Sequence, residues 1–184
     1  MALSDDLEQI AEAAAAFAAP DERVTGILAA EPLRAGRVFL CAYASGDERP
    51  AWLALDAGGA PIASLSIVRE AVKLVALCEV AEESAGGGDL TQLRQRLREL
   101  RETEAPEGIE AAELAAAELA ETLEAEPRLA TTDYLDRLGA AARRLEQALG
   151  DDVGSPFAAA IQQALPAVDE VAAEVEQRFK GPLA

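Results

Sequence analysis

The sequence predicts an α+β fold that is predominantly helical, in which a helix-flanked antiparallel β-hairpin is followed by an antiparallel helical bundle. Three observations support this class. The hydrophobic fraction is 51%, and much of it is alanine, the residue with the highest helix propensity. Residues 37–56 contain two apolar, aromatic-containing runs around a polar turn, which is typical of a hairpin. Beyond residue 88, apolar residues recur at helical spacing.

The amino-terminal region predicts one helix and one ambiguous segment. Ser4 is a capping residue for a helix that presents Ile10 and Phe17 on one face and ends at Pro20. The segment 20–30 predicts a second short helix, because Pro-Asp-Glu favours helix initiation. The competing interpretation is a strand over 24–28, which Gly26 disfavours.

The hairpin is predicted from residues 37–44 and 51–56, which flank the polar turn 45–50. Pro61 and Ile62 predict a short additional edge. A long helix then begins at Ser64 or Ser66 and continues to about Ser84, and its wide apolar face makes it a natural partner for the hairpin.

The second half predicts four helices. The glycines at 86–88 form the clearest boundary, so we expect segments 1–85 and 89–184, packed as one compact body. Two helices follow, separated by Pro106 and ending near Pro127, and a third spans about 132–149. Ser155 and Pro156 begin the last helix, which Pro166 is expected to kink or split.

Composition excludes several classes of function. A formal charge of −18 disfavours nucleic acid and anionic membranes as partners, since both bind through Lys and Arg. The absence of histidine excludes imidazole-activated nucleophiles and His-ligated metal sites. Cys41 and Cys78 lie in apolar contexts and are expected to be buried thiols. With an acidic amino terminus and no long apolar run, we expect a cytoplasmic protein without a cofactor.

Paired glutamates carry the one catalytic hypothesis. Glu79 with Glu82, and Glu99 with Glu102, are spaced three apart, so each pair lies on one helix face where two carboxylates can share Mg²⁺. Over this stretch the pattern resembles the all-helical nucleotide pyrophosphatases, although their closing Asp is absent. That resemblance implies a Mg-dependent phosphohydrolase. The competing interpretation is a set of solvated helix faces in an acidic chain.

Three arginines form the main basic cluster. Arg94, Arg98 and Arg101 share a helix face that suits a phosphate or carboxylate ligand. The alternative is that they form ion pairs with neighbouring acidic helices.

The hairpin provides the leading hypothesis, because both of its faces are apolar and a two-stranded ribbon is marginal in water. Either the chain covers the ribbon itself, or the ribbon pairs with a second copy or with a partner's strand. The second alternative predicts an interface of five residues: Val38, Leu40, Tyr43, Trp52 and Leu53. We therefore expect a non-catalytic interaction or regulatory protein that forms a homo-oligomer or binds a protein partner.

Overall fold

The computed structural model describes residues 3–86, 89–102, 109–124, 129–149 and 154–181. Within them the chain forms six helices and a four-stranded mixed sheet, which confirms the α+β class. The helices are α1 (Leu3–Ala15), α2 (Leu65–Gly86), α3 (Asp89–Glu102), α4 (Ile109–Glu124), α5 (Thr132–Ala148) and α6 (Pro156–Gln177). The strands are β1 (Arg23–Glu31), β2 (Val38–Ala44), β3 (Ala51–Asp56) and β4 (Ala130–Thr131).

The predicted hairpin is confirmed as the antiparallel pair β2 and β3. It does not stand alone, however, because the sheet order is β3-β2-β1-β4. β1 is antiparallel to β2, and the two-residue β4 is parallel to the end of β1. The predicted short edge at Pro61 forms an isolated bridge with Leu55.

The helix predicted over 20–30 is wrong, since residues 23–31 form β1. Val24, Thr25 and Ile27 are β-branched and favour a strand, and pairing with β2 outweighs the helix-initiating sequence before them. The register shifts between Val24 and Gly26, so Thr25 forms a bulge. Gly26 lies beside this bulge and does not prevent the strand.

The helix predictions for the second half are confirmed at the level of individual elements. α6 begins at Pro156, where the missing backbone N–H has no helical partner to lose. The Ser155 Oγ accepts a hydrogen bond from Ala158 N at 3.2 Å, and the buried Glu146 accepts one from Phe157 N at 3.1 Å. The helix continues through Pro166 as one element. The antiparallel bundle arrangement stays a prediction.

Two compact units divide the described residues. Unit 1 consists of those within Met1–Ala76, Pro127–Thr132 and Ala167–Ala184, and unit 2 of those within Leu77–Glu126 and Asp133–Pro166. The units are interleaved along the chain, and α2 and α6 each contribute residues to both. The predicted division into 1–85 and 89–184, and its packing as one body, stay predictions.

The core of unit 1 forms where α1 packs on one face of the sheet. Ile10 of α1 and Phe39 of β2 are fully buried there, together with Leu55 of β3. Tyr43 is 1% exposed, and its hydroxyl donates to Ala14 O at 2.8 Å. This bond joins β2 to the last turn of α1.

Among the residues that the structure describes, no helix combines the length and the apolar content needed to cross a membrane.

Candidate functional site

The five residues of the predicted interface belong largely to the interior of the chain. Val38, Leu40 and Tyr43 are each 1% exposed and Leu53 is 3% exposed, while Trp52 is half-buried. β2 is buried along nearly its whole length, and β1 and β3 occupy both of its edges. These side chains therefore offer little contact surface in the folded chain, and an interface on this sheet requires other residues.

The outer edge of β3 is covered at both ends. At one end, Trp52 N donates to Arg178 O at 3.1 Å and Lys180 N donates to Trp52 O at 2.7 Å. At the other end, Ile62 N donates to Ala54 O at 2.8 Å. A strand edge that is paired with its own chain is protected against association with another chain.

The outer edge of β1, unlike that of β3, is paired over only a short part of its length. Only Ala30 and Glu31, two of its nine residues, pair with β4. Throughout the described parts of the chain, no backbone hydrogen bond other than those to β2 is found for Arg23–Ala29. The sequence predicted an unpaired strand edge on the hairpin of β2 and β3. In the described residues that edge belongs to the neighbouring strand β1 instead.

The side chains along this edge are partly exposed. Leu28 is 37% exposed, although its partner in the register, Leu40, is almost fully buried. Ile27 lies on the opposite face and packs against the core cluster beneath α1. At Gly26, a Cβ would meet no other atom within 4 Å, so the surface beside Leu28 is open.

The four glutamates of the magnesium hypothesis are not brought together. The search of the described residues gives no group of three or more Asp, Glu, His or Cys side chains able to hold a metal ion. Glu82 instead accepts a hydrogen bond from the Tyr134 hydroxyl at 2.9 Å, and Glu99 accepts one from Gln95 at 3.3 Å. Glu102 lies at the exposed end of α3.

Glu79 of α2 lies in surroundings that disfavour its ionised form. Desolvation, followed by the nearby Glu82 carboxylate, raises the pKa of Glu79, although the residue is exposed at the surface. A raised pKa lets protons compete more strongly with Mg²⁺ for a carboxylate, since the metal binds the ionised group. Glu79 and Glu82 lie three residues apart on α2 as predicted, but Glu99 and Glu102 of α3 do not join them to form a Mg²⁺ site.

The arginine row is distributed over different environments. Arg101 Nε donates to Glu113 of α4 at 2.6 Å, which is the ion-pair arrangement anticipated as the alternative. Desolvation lowers the pKa of Arg94, and Arg98 is exposed. With one of the three guanidinium groups paired to a carboxylate, the row is a poorer anion site than its spacing indicates.

Both cysteines are free and buried, as expected. Burial raises the pKa of Cys41 to about 12, so its thiol remains protonated near neutral pH. A protonated, inaccessible thiol is not a nucleophile. Cys41 therefore acts as a small apolar side chain of the sheet core.

The sequence reasoning missed the edge residues 25–29. The signal that would have found them was present, because three of the four residues Val24, Thr25, Gly26 and Ile27 are β-branched.

Comparisons with protein-family models, with curated proteins and with solved structures found no match to this chain.

Proposed function

We propose that this chain is a non-catalytic protein-interaction protein of the cytoplasm that forms a homodimer through the outer edges of two β1 strands. The observation that carries the proposal is that, among the described residues, the outer edge of Arg23–Ala29 has no backbone hydrogen-bond partner, while the opposite edge of the sheet is covered. Antiparallel pairing with a second copy gives the free N–H and C=O groups hydrogen-bond partners and joins two sheets into one.

The positions along β1 favour one register. β4 occupies the edge at Ala30 and the bulge interrupts it at Thr25, which leaves residues 25–29 for pairing. A two-fold axis at Ile27 places Leu28 of each copy opposite Gly26 of the other. Directly opposite residues share a face in an antiparallel pair, so the exposed Leu28 covers the open surface at Gly26.

Charge at the ends of the strand supports the same orientation. Arg23 begins β1 and Glu31 ends it, and both are exposed. An antiparallel arrangement places the Arg23 end of each strand near the Glu31 end of the other, beyond the paired residues and beside β4, whereas a parallel one aligns like charges. The net charge of −18 on each copy opposes association at long range, so added salt should strengthen the dimer.

The alternative of a Mg-dependent phosphohydrolase lacks support of this kind. Among the described residues no three of its glutamates form a group able to hold a metal ion, and Glu82 accepts a hydrogen bond from Tyr134. The composition adds a second argument, since the chain contains no histidine for general acid–base work. The interaction hypothesis needs only the residues of one strand in unit 1.

Sedimentation equilibrium on the wild type and on Leu28→Lys tests the proposal. We expect a wild-type dimer whose dissociation constant rises at least about tenfold in the variant, because lysine on an edge strand opposes strand pairing. Leu33→Lys is the matched control: Leu33 is 82% exposed and lies outside β1 in the connection to β2. A wild type that stays monomeric at every concentration, or equal weakening by both variants, contradicts the proposal.

A further inference from the structure

A pocket in unit 1 lies at a different place from the β1 edge. Its volume is about 430 Å³, within the roughly 300–1,000 Å³ typical of small-molecule sites. The turn Ala16–Ala19 after α1 forms one wall, and Leu53, Pro61 and Gly181 contribute to the others. Lys180 is the one charged residue among the described lining residues.

The position of Lys180 is fixed by several contacts. Its backbone N donates to Trp52 O of β3. Its ammonium forms an ion pair with Glu22 and lies 4.4 Å from the centre of the Tyr43 ring. The side chains of Lys180 and Glu22 are only 26% and 17% exposed. The pocket is therefore largely apolar, and the Lys180 ammonium is held beside it by Glu22, which also accepts a hydrogen bond from the lining residue Ala19.

We propose that this pocket binds a neutral, largely apolar small molecule that carries a single hydroxyl or carbonyl group for Lys180. Glu22 already neutralises the ammonium, so a ligand carboxylate would gain little attraction and would face the Glu22 carboxylate. The charge of −18 on the chain also repels anions. An ammonium has three donors, and a neutral oxygen can accept one of them without displacing Glu22.

Glu22 and Lys180 together set this preference. The hydrogen bond from Lys180, followed by that from Ala19 N, lowers the pKa of Glu22, so the Glu22 carboxylate is ionised near neutral pH. Removing only the negative member leaves an uncompensated ammonium at an apolar rim. The preference between neutral and anionic ligands should then reverse.

A pair of probes with matched chains tests the inference: 1-octanol and octanoate, titrated while backbone amide NMR shifts of Phe17 and Gly181 are followed. We expect 1-octanol to shift both amides and to bind at least about tenfold more tightly than octanoate. In Glu22→Gln, octanoate should gain at least about fivefold in affinity and become the preferred ligand.

Lys180→Met removes the donor but keeps an apolar stem, and should weaken 1-octanol about fivefold or more. The chain contains two lysines, and Lys73, which pairs with Asp169 in unit 1, supplies the control Lys73→Met. The inference is overturned if neither probe moves the two amides, if octanoate binds wild type as tightly as 1-octanol, or if both lysine variants behave like wild type.

Discussion

The cores of the two units contain different kinds of side chain. In unit 1, the largest fully buried residues include Tyr43 and Phe39, held between hydrogen-bonded strands and α1. In unit 2, the largest ones among the described residues are Leu119, Leu138 and Leu145, surrounded by buried alanines such as Ala112, Ala115, Ala141 and Ala142. Unit 1 thus depends on a few large anchors, whereas unit 2 depends on many small contacts between helices.

The two cores should therefore respond differently when a substitution leaves a cavity. Strands joined by backbone hydrogen bonds cannot approach each other further, so a cavity beside them stays open. Helices that meet through alanine and glycine have no such fixed spacing and can close part of the space. The loss of stability that a cavity causes is smaller when its walls relax further into it.

The largest effect is expected for Phe39→Ala, which should lower the free energy of unfolding by about 3–5 kcal/mol. Leu138→Ala, the counterpart in unit 2, should cost roughly 2–3 kcal/mol, because the adjacent Gly139 and Ala142 allow the helices to adjust. Urea unfolding followed by circular dichroism measures both. A larger loss in Leu138→Ala than in Phe39→Ala would contradict the comparison.

A smaller effect is expected from the two tyrosine hydroxyls, one in each unit. Tyr43→Phe should cost about 1–1.5 kcal/mol, since it removes a buried hydrogen bond and leaves Ala14 O with only the one from Phe17 N. Tyr134→Phe should cost below about 1 kcal/mol, because the partly exposed Glu82 can bind water instead. The same urea measurement separates the two. Equal losses would show that burial does not govern these bonds.

The smallest effect concerns pH and the pair Glu22–Lys180. Since the folded-state pKa of Glu22 lies below its ordinary value of 4.5, its contribution is complete above that pH and is lost on further acidification. Glu22→Gln should therefore be less stable than wild type near neutral pH, and the difference should shrink as the pH falls below 4.5. Thermal unfolding of the wild type and the variant between pH 3 and pH 7 checks this. Lys180→Met removes the same ion pair from its other side and should give the same pH dependence. Parallel profiles for wild type and both variants would exclude the linkage.

The sequence predicted elements whose signals are local. The hairpin, the start of α6 at Pro156 and the extent of α5 follow from turn chemistry, capping and periodicity. β1 was missed because its competing helix signal, Pro-Asp-Glu, is also local, and only the partner strand β2 decides between the two. β4 consists of two residues and has no periodicity to detect.

The functional sites were less predictable because they depend on distant contacts. The spacing of Glu79 and Glu82 correctly places both on α2, yet no local pattern reports whether a second pair approaches them. Lys180 and Glu22 are 158 positions apart, and neither is distinguished by its neighbours. The open edge of β1 likewise becomes visible only when the strand order of the sheet is known.

The interleaving of the two units has a consequence for synthesis on the ribosome. All residues of unit 2 precede position 167, whereas unit 1 requires Ala167–Ala184 as well as the amino-terminal segment. Unit 2 is therefore complete in the nascent chain while unit 1 still lacks the segment that covers the β3 edge. During that interval the Trp52 end of β3 is unprotected in addition to the β1 edge, and exposed strand edges of this kind are sites where an emerging polypeptide is prone to aggregate.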